Sequence, residues 1–111
     1  MCAAEFGTDL FVTDQAQGSM FRCPFNTPGT CATFATISGS DLLGAGPSGS
    51  SFVGDDKGNL DQVSSTGTVT VFQAGFKSAR GTAYDAGHRR VFAGDHDPNG
   101  KTNFLWVLPL K

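Results

Sequence analysis

The chain has 111 residues and a net charge of −2, only 16% of its residues are charged, and it contains 15 Gly and 10 Phe. Because Lys and Arg form no cluster, a nucleic-acid groove is not expected, since such grooves need basic side chains to displace phosphate counterions. No apolar run approaches the roughly 20 residues that a membrane-spanning helix needs, so we expect no membrane span either.

Short β-strands separated by tight turns are predicted along the whole chain. Turn residues recur every 8 to 12 positions between runs rich in Phe, Val and Thr, which is typical of antiparallel meanders. No stretch has the long apolar stripe of a helix. In chain order, ten strands are predicted, at 9–14, 20–25, 30–37, 41–45, 51–55, 59–64, 68–74, 81–84, 90–94 and 103–110.

One pattern, Phe-[Val/Ala]-[Thr/Gly]-Asp, occurs three times. It begins at Phe11, Phe52 and Phe92, at intervals of 41 and 40 residues. A fixed period of about 40 residues is typical of repeat architectures. We therefore predict a single domain of three β repeats, which lie at about 1–38, 39–77 and 78–111.

Four antiparallel strands in about 40 residues correspond to one blade of a β-propeller. The predicted strands fall into groups of three, four and three, which amounts to about two and a half to three blades, whereas propellers close with about four to eight. We expect an all-β, propeller-like chain that is either a fragment of a longer protein or a subunit. Self-association into a homo-oligomer is favoured, because a closed ring removes open sheet edges.

Two segments resemble the six-bladed propellers of the gluconolactonase/senescence-marker family and of the NHL type. They are LFVTDQAQGSMFRCPFNTPG, at 10–29, and ARGTAYDAGHRRVFAGDHDPNGKTNFLWVLPL, at 79–110. The resemblance implies a propeller fold and, for the gluconolactonase branch, a divalent metal held by Glu, Asn and Asp that supports lactone hydrolysis. Asp95 matches the family's Asp, but Arg80 stands at the position of the Asn and Glu5 is the only glutamate. A cationic side chain at a ligand position opposes metal binding.

The segment from Asp95 to Asn103 is predicted as a candidate calcium loop. Asp95, Asp97, Asn99 and Asn103 occupy positions 1, 3, 5 and 9, and Gly100 occupies position 6. Ca²⁺ takes about six to eight oxygen ligands, and a glycine permits the sharp wrap around the ion. The alternative is an ordinary polar turn, because Asp, Asn and Gly are also the commonest turn formers.

Two further groups of residues have two interpretations each. Asp14, Asp55 and Asp95 recur at one place in the repeat, where they could line a channel or, as we favour, accept hydrogen bonds from the following turn. Trp106 and Tyr84 could form a stacking platform for a sugar or belong to the core.

Cys23 and Cys31 flank a predicted hairpin centred on Thr27, which places them within reach of a disulfide. A disulfide would indicate maturation outside the cytoplasm. The unmatched Cys2 and the lack of a charged and then apolar leader at the N-terminus favour free thiols instead.

The function expected from the sequence is a non-enzymatic binding or scaffold module that self-associates. A carbohydrate or another small molecule is the expected ligand, and Ca²⁺ is the candidate cofactor. The alternative is a metal-dependent, lactonase-like hydrolase that is assembled by oligomerisation or truncated from a larger propeller.

Overall fold

The chain folds as three antiparallel sheets that follow one another along the sequence. The computed structural model describes residues 2–7, 9–27, 29–100 and 102–110. Sheet 1 contains β1 (Cys2–Phe6), β2 (Asp9–Asp14), β3 (Ser19–Pro24) and β4 (Ala32–Thr36). Sheet 2 contains β5 (Leu43–Ala45), β6 (Ser51–Gly54), β7 (Asn59–Val63) and β8 (Val69–Ala74). Sheet 3 contains β9 (Ala79–Asp85), β10 (Arg90–Asp95) and β11 (Phe104–Pro109).

The all-β prediction is confirmed, but the strand grouping of three, four and three is wrong. The sheets have four, four and three strands, and the strand that the sequence missed is β1. Its residues, CAAEF, have low β-propensity apart from the aromatic. It forms because it pairs in register with β2, from Cys2 opposite Thr13 to Phe6 opposite Asp9.

The repeated motif lies on the second strand of each sheet, β2, β6 and β10. Side chains of a strand alternate between the two faces of a sheet, so the motif's Phe and the residue after it point to opposite sides. This alternation is visible in β2 and β10, where buried and partly exposed residues alternate.

Two hydrophobic clusters join the sheets. The cluster between sheets 1 and 2 consists of Phe11, Met20, Ala35, Ile37, Leu43, Val53 and Val63. The cluster between sheets 2 and 3 consists of Phe52, Leu60, Phe72, Phe76, Ala79, Val91, Ala93 and Leu108. The first strands of successive sheets, β1 with β5 and β5 with β9, are also in contact.

Polar contacts join the sheets near their first strands. The Thr13 hydroxyl donates to the backbone carbonyl of Asp41, and the Arg80 guanidinium pairs with the Asp41 carboxylate. Residues of sheets 1 and 3 therefore both bond the residue that leads into β5. Arg80, which stands at the ligand position of the resembling family, is in this structure one half of an ion pair between sheets.

The molecule is flat, with principal extents of 43 × 34 × 19 Å. The shortest dimension is close to the length of a six-residue strand at about 3.3 Å per residue. No helix in the described ranges is long and apolar enough to cross a membrane.

Candidate functional site

In the predicted calcium loop, the Asp95 carboxylate accepts hydrogen bonds from protein groups. Asp95 is 5% exposed, and its Oδ1 accepts the backbone N–H groups of Lys77 and Ser78, both at 2.9 Å. Its Oδ2 accepts the indole Nε1–H of Trp106 at 3.2 Å. The carboxylate thus binds the segment between sheets 2 and 3 to β11.

Asp97 and Asn103, two further predicted ligands, also have protein partners. Asp97 Oδ1 accepts the backbone N–H groups of Asn99 and Gly100 at 3.0 Å, and Asn103 Oδ1 lies 3.0 Å from His96 Nδ1. Lys101 lies outside the described residues. Among the residues that the structure describes, no three His, Cys, Asp or Glu side chains converge in a way that could hold a metal ion.

The recurring aspartates act as turn caps in the first two repeats. Asp14 Oδ1 accepts the N–H groups of Ala16 and Gln17, and Asp55 Oδ1 accepts those of Lys57 and Asn59. These contacts confirm the structural interpretation for Asp14 and Asp55. Asp95 differs, because it bonds the preceding linker rather than its own turn.

Trp106 and Tyr84 both pack against the cluster between sheets 2 and 3. The indole stacks on the ring of Phe76 with centroids 4.4 Å apart, so one face of the predicted sugar platform is already covered. A shallow groove of about 470 Å³ remains beside the start of β11, lined by Gly75, Lys77, Asp95, Phe104, Leu105 and Trp106.

The expectation of free thiols at Cys23 and Cys31 is wrong. The two residues form a disulfide, with Cα atoms 4.2 Å apart, because the hairpin at the end of β3 folds the chain back as the sequence pattern allowed. Cys2 is the free cysteine among the described residues. By the chain-entropy model, a crosslink over such a short loop stabilises the fold by about 2 to 3 kcal/mol.

A carboxylate pair that the sequence did not reveal, Asp55 and Asp61, lines a groove of about 340 Å³ between the end of β4 and sheet 2. Asp61 on β7 is 4% exposed, and its burial, together with a hydrogen bond and the negative charge of Asp55, raises its pKa to about 7. Burial alone would raise the pKa of Asp55 too, but hydrogen bonds from Asn59 and Lys57 lower it below its usual value. At neutral pH Asp61 is therefore about half protonated, whereas Asp55 is ionised. Alternation in β7 could not have signalled this burial, because Leu60 and Asp61 lie on opposite faces and are both buried.

The repeated motif places apolar side chains on both faces of its sheet. The motif's Phe packs towards the next sheet, as Phe11 does in one cluster and Phe52 in the other. The residue after it packs towards the preceding sheet, as Val53 and Ala93 do. We call the side with the motif's Phe the leading face and the opposite side the trailing face.

Two of these faces have no neighbouring sheet among the described residues. The open leading face belongs to sheet 3, where register with Phe92 and Gly94 places Val107 and Leu105 on the same side. The open trailing face belongs to sheet 1 and contains Leu10, Val12 and Phe21. Each face carries a group of apolar side chains, with charged residues on the same side: Arg90 shares the side of Phe92, and Glu5 lies opposite Leu10.

Leu105 shows what the open leading face lacks. Met20, opposite Thr13, and Leu60, opposite Gly54, occupy the same place in sheets 1 and 2, and each is 0% exposed. Leu105, opposite Gly94, is 67% exposed, and its neighbour Val107 is 51% exposed. The same strand position is therefore fully buried in sheets 1 and 2 but exposed in sheet 3.

Comparisons with known proteins support the fold and no function. No family model matches the sequence, and no curated protein matches it either. The chain is similar in structure to the computationally designed Ika4 protein, with a TM-score of 0.65 and 14% identity over 96% of this chain and 64% of that one. It is also similar to the computationally designed Ika8 protein, with a TM-score of 0.65 and 12% identity over 94% of this chain and 31% of that one.

At such low identity the likeness concerns the fold alone. The chain spans less than two thirds of either designed chain. Neither comparison bears on the resemblance to gluconolactonase or NHL repeats.

Proposed function

We propose that this chain is a non-enzymatic scaffold module whose copies associate head to tail into a propeller-like ring. The open leading face of one copy packs on the open trailing face of the next, as sheet 1 packs on sheet 2 and sheet 2 on sheet 3. Because the two faces differ, the contact is heterologous, and heterologous contacts form a ring when the rotation between copies closes.

The exposure of Leu105 is the observation that supports this proposal most. Its counterparts Met20 and Leu60 are fully buried by the next sheet, whereas Leu105 is 67% exposed. Burying a leucine side chain is favourable by about 1.5 to 3 kcal/mol. Within the chain, Val53 packs in one cluster with Met20 and Ala93 in the other with Leu60. The open trailing face presents Val12 at the same motif position. The trailing face of a second copy is therefore the same kind of surface that buries Met20 and Leu60 within the chain.

The size and shape of the chain agree with a small ring. Two copies provide about six sheets, within the range of about four to eight blades over which propellers close. The flat outline, 19 Å in its shortest dimension, is that of a sector of a disc. We therefore expect a discrete dimer.

The contacts of Arg80 and Asp95 favour a scaffold over the lactonase-like hydrolase. Arg80 is paired with Asp41, and Asp95 accepts three hydrogen bonds from protein groups. A metal-dependent hydrolase would need these positions for its ion. The groove beside Trp106 is the place that we assign to a carbohydrate or other small ligand.

The disulfide between Cys23 and Cys31 supports residence in an oxidising compartment. Such bonds form and persist in extracellular and periplasmic proteins and are rare in the cytosol.

Light scattering of the purified chain and of two charge variants tests the assembly. Leu105→Arg should disable the leading face and Val12→Arg the trailing face, so each variant alone should be a monomer because burying an unpaired charge in an apolar contact is costly. Val71→Arg is the matched control: Val71 is 57% exposed on β8 but lies outside both open faces, and this variant should keep the wild-type mass.

Mixing the two disabled variants tests the head-to-tail geometry. Each retains one intact face, so an equimolar mixture should form a heterodimer through the single productive contact. A wild-type chain that is monomeric at micromolar concentration would overturn the proposal. Dimerisation of either variant by itself would instead indicate that like faces pair.

A further inference from the structure

The open edge of β11 is a second unfilled surface, distinct from the leading and trailing faces. We propose that it binds an extended segment of a partner chain, which adds as the fourth strand of sheet 3 and carries a phenylalanine at a β-bulge. The proposal concerns the backbone edge of the sheet and holds whether or not copies of the chain assemble.

The fourth strands of sheets 1 and 2 share one irregularity. In β4, Phe34 is the extra residue opposite the step Met20–Phe21, and in β8, Phe72 is the extra residue opposite the step Leu60–Asp61. A β-bulge of this kind inserts one residue and redirects its side chain. The same residue type at the same step in two sheets indicates a packing requirement that recurs in this fold.

Each bulged phenylalanine packs edge-on against the motif's Phe of its own sheet. The rings of Phe11 and Phe34 are 5.2 Å apart at an interplanar angle of 69°. The rings of Phe52 and Phe72 are 5.1 Å apart at 70°. Such pairs stabilise by about 0.5 to 1.5 kcal/mol beyond the area that they bury.

In sheet 3 the corresponding step is Leu105–Trp106, which follows from the pairing of these residues with Gly94 and Ala93. The described residues provide no strand on that side of β11, and the ring of Phe92 lies instead under the Arg90 guanidinium, 5.0 Å from its centroid. The groove beside Trp106 lies next to this step.

The chemistry of β11 selects an extended peptide as the occupant. An edge strand presents a row of unpaired N–H and C=O groups that a further strand can bond. Natural edge strands are usually short or charged, or carry proline. By contrast, β11 (FLWVLP) has six residues and no charge, and its one proline stands at the last position. It exposes Phe104 and Leu105 by 57% and 67%. By analogy with 33–36 (TFAT) and 71–74 (VFQA), the partner segment has a β-branched residue, then Phe, then small or polar residues.

A synthetic peptide with the sequence of 68–75, TVTVFQAG, flanked by lysines for solubility, tests the proposal. It is titrated into the Val12→Arg chain, whose disabled trailing face prevents head-to-tail assembly but leaves β11 intact. The single tryptophan, Trp106, should report binding by a change in fluorescence, and amide exchange should slow in β11. Wild-type protein diluted to nanomolar concentration provides the same readout if this variant does not fold.

Two control peptides separate strand addition from adhesion to an apolar patch. Replacing the peptide's phenylalanine by alanine should weaken binding by at least about tenfold, the effect of losing a buried ring. N-methylation of alternate residues should abolish binding, because it removes the donors of the ladder. Equal affinity of all three peptides, or no binding at all, would refute the proposal, while the mass of the wild-type chain decides the assembly separately.

Discussion

Two glycines at the same motif position provide a matched pair for testing the arrangement of the sheets. A Cβ atom on Gly54 would lie 2.3 Å from the backbone oxygen of Ala79 in β9, whereas one on Gly94 would meet nothing closer than 3.8 Å. Neither glycine has a positive φ, so the backbone effect of an alanine is similar at both. The difference between Gly54→Ala and Gly94→Ala therefore measures how closely the next sheet approaches.

The expected magnitudes follow from these distances. In Gly54→Ala, the Ala79 carbonyl must move about 1 Å away from the new Cβ atom to reach ordinary van der Waals contact. Overpacking of this kind costs about 1 to 3 kcal/mol. For a domain of this size that corresponds to a fall in Tm of roughly 4 to 12 °C. At Gly94 the alanine should be neutral or stabilising by up to about 1 kcal/mol, because it restricts the unfolded chain.

Thermal unfolding of both variants in the Val12→Arg background, where association does not contribute, is the assay for stability. Equal Tm values for Gly54→Ala and Gly94→Ala would refute the close approach of sheets 2 and 3. In the otherwise wild-type chain, Gly94→Ala should reduce association, because in the ring the next copy covers Gly94 as β9 covers Gly54. An oligomer of unchanged stability in Gly94→Ala would contradict that packing.

Two further predictions concern carboxylates. Because the pKa of Asp61 is raised to about 7, the folded chain holds a proton that the unfolded chain releases near pH 4, so stability should fall as pH rises from about 4 to about 7, by about 4 kcal/mol in all; Asp61→Asn should remove most of this slope in Tm, and an unchanged slope would contradict the buried pair. Calcium chloride at about 10 mM should leave Tm unchanged, because Asp95 already accepts hydrogen bonds from Lys77, Ser78 and Trp106; a rise in Tm with calcium would show that the loop binds the ion after all.

The sequence alone predicted features that depend on local chemistry. Alternation and turn residues located ten of the eleven strands that the described residues form, because a strand's period and a turn's φ requirements are properties of a few adjacent residues. The turn caps at Asp14 and Asp55 were predictable for the same reason. The hairpin between Cys23 and Cys31 was also predicted, but not the oxidation state that the structure shows.

Tertiary structure decided the features that depend on partners distant in sequence. The strand β1 exists only because β2 pairs with it, and the carboxylate of Asp95 faces Lys77, Ser78 and Trp106 rather than an ion. Likewise Met20, Leu60 and Leu105 are alike as apolar strand residues, yet the first two are buried and the third is 67% exposed. Periodicity shows on which side of a sheet a residue lies, but only the packed structure shows whether another sheet covers that side.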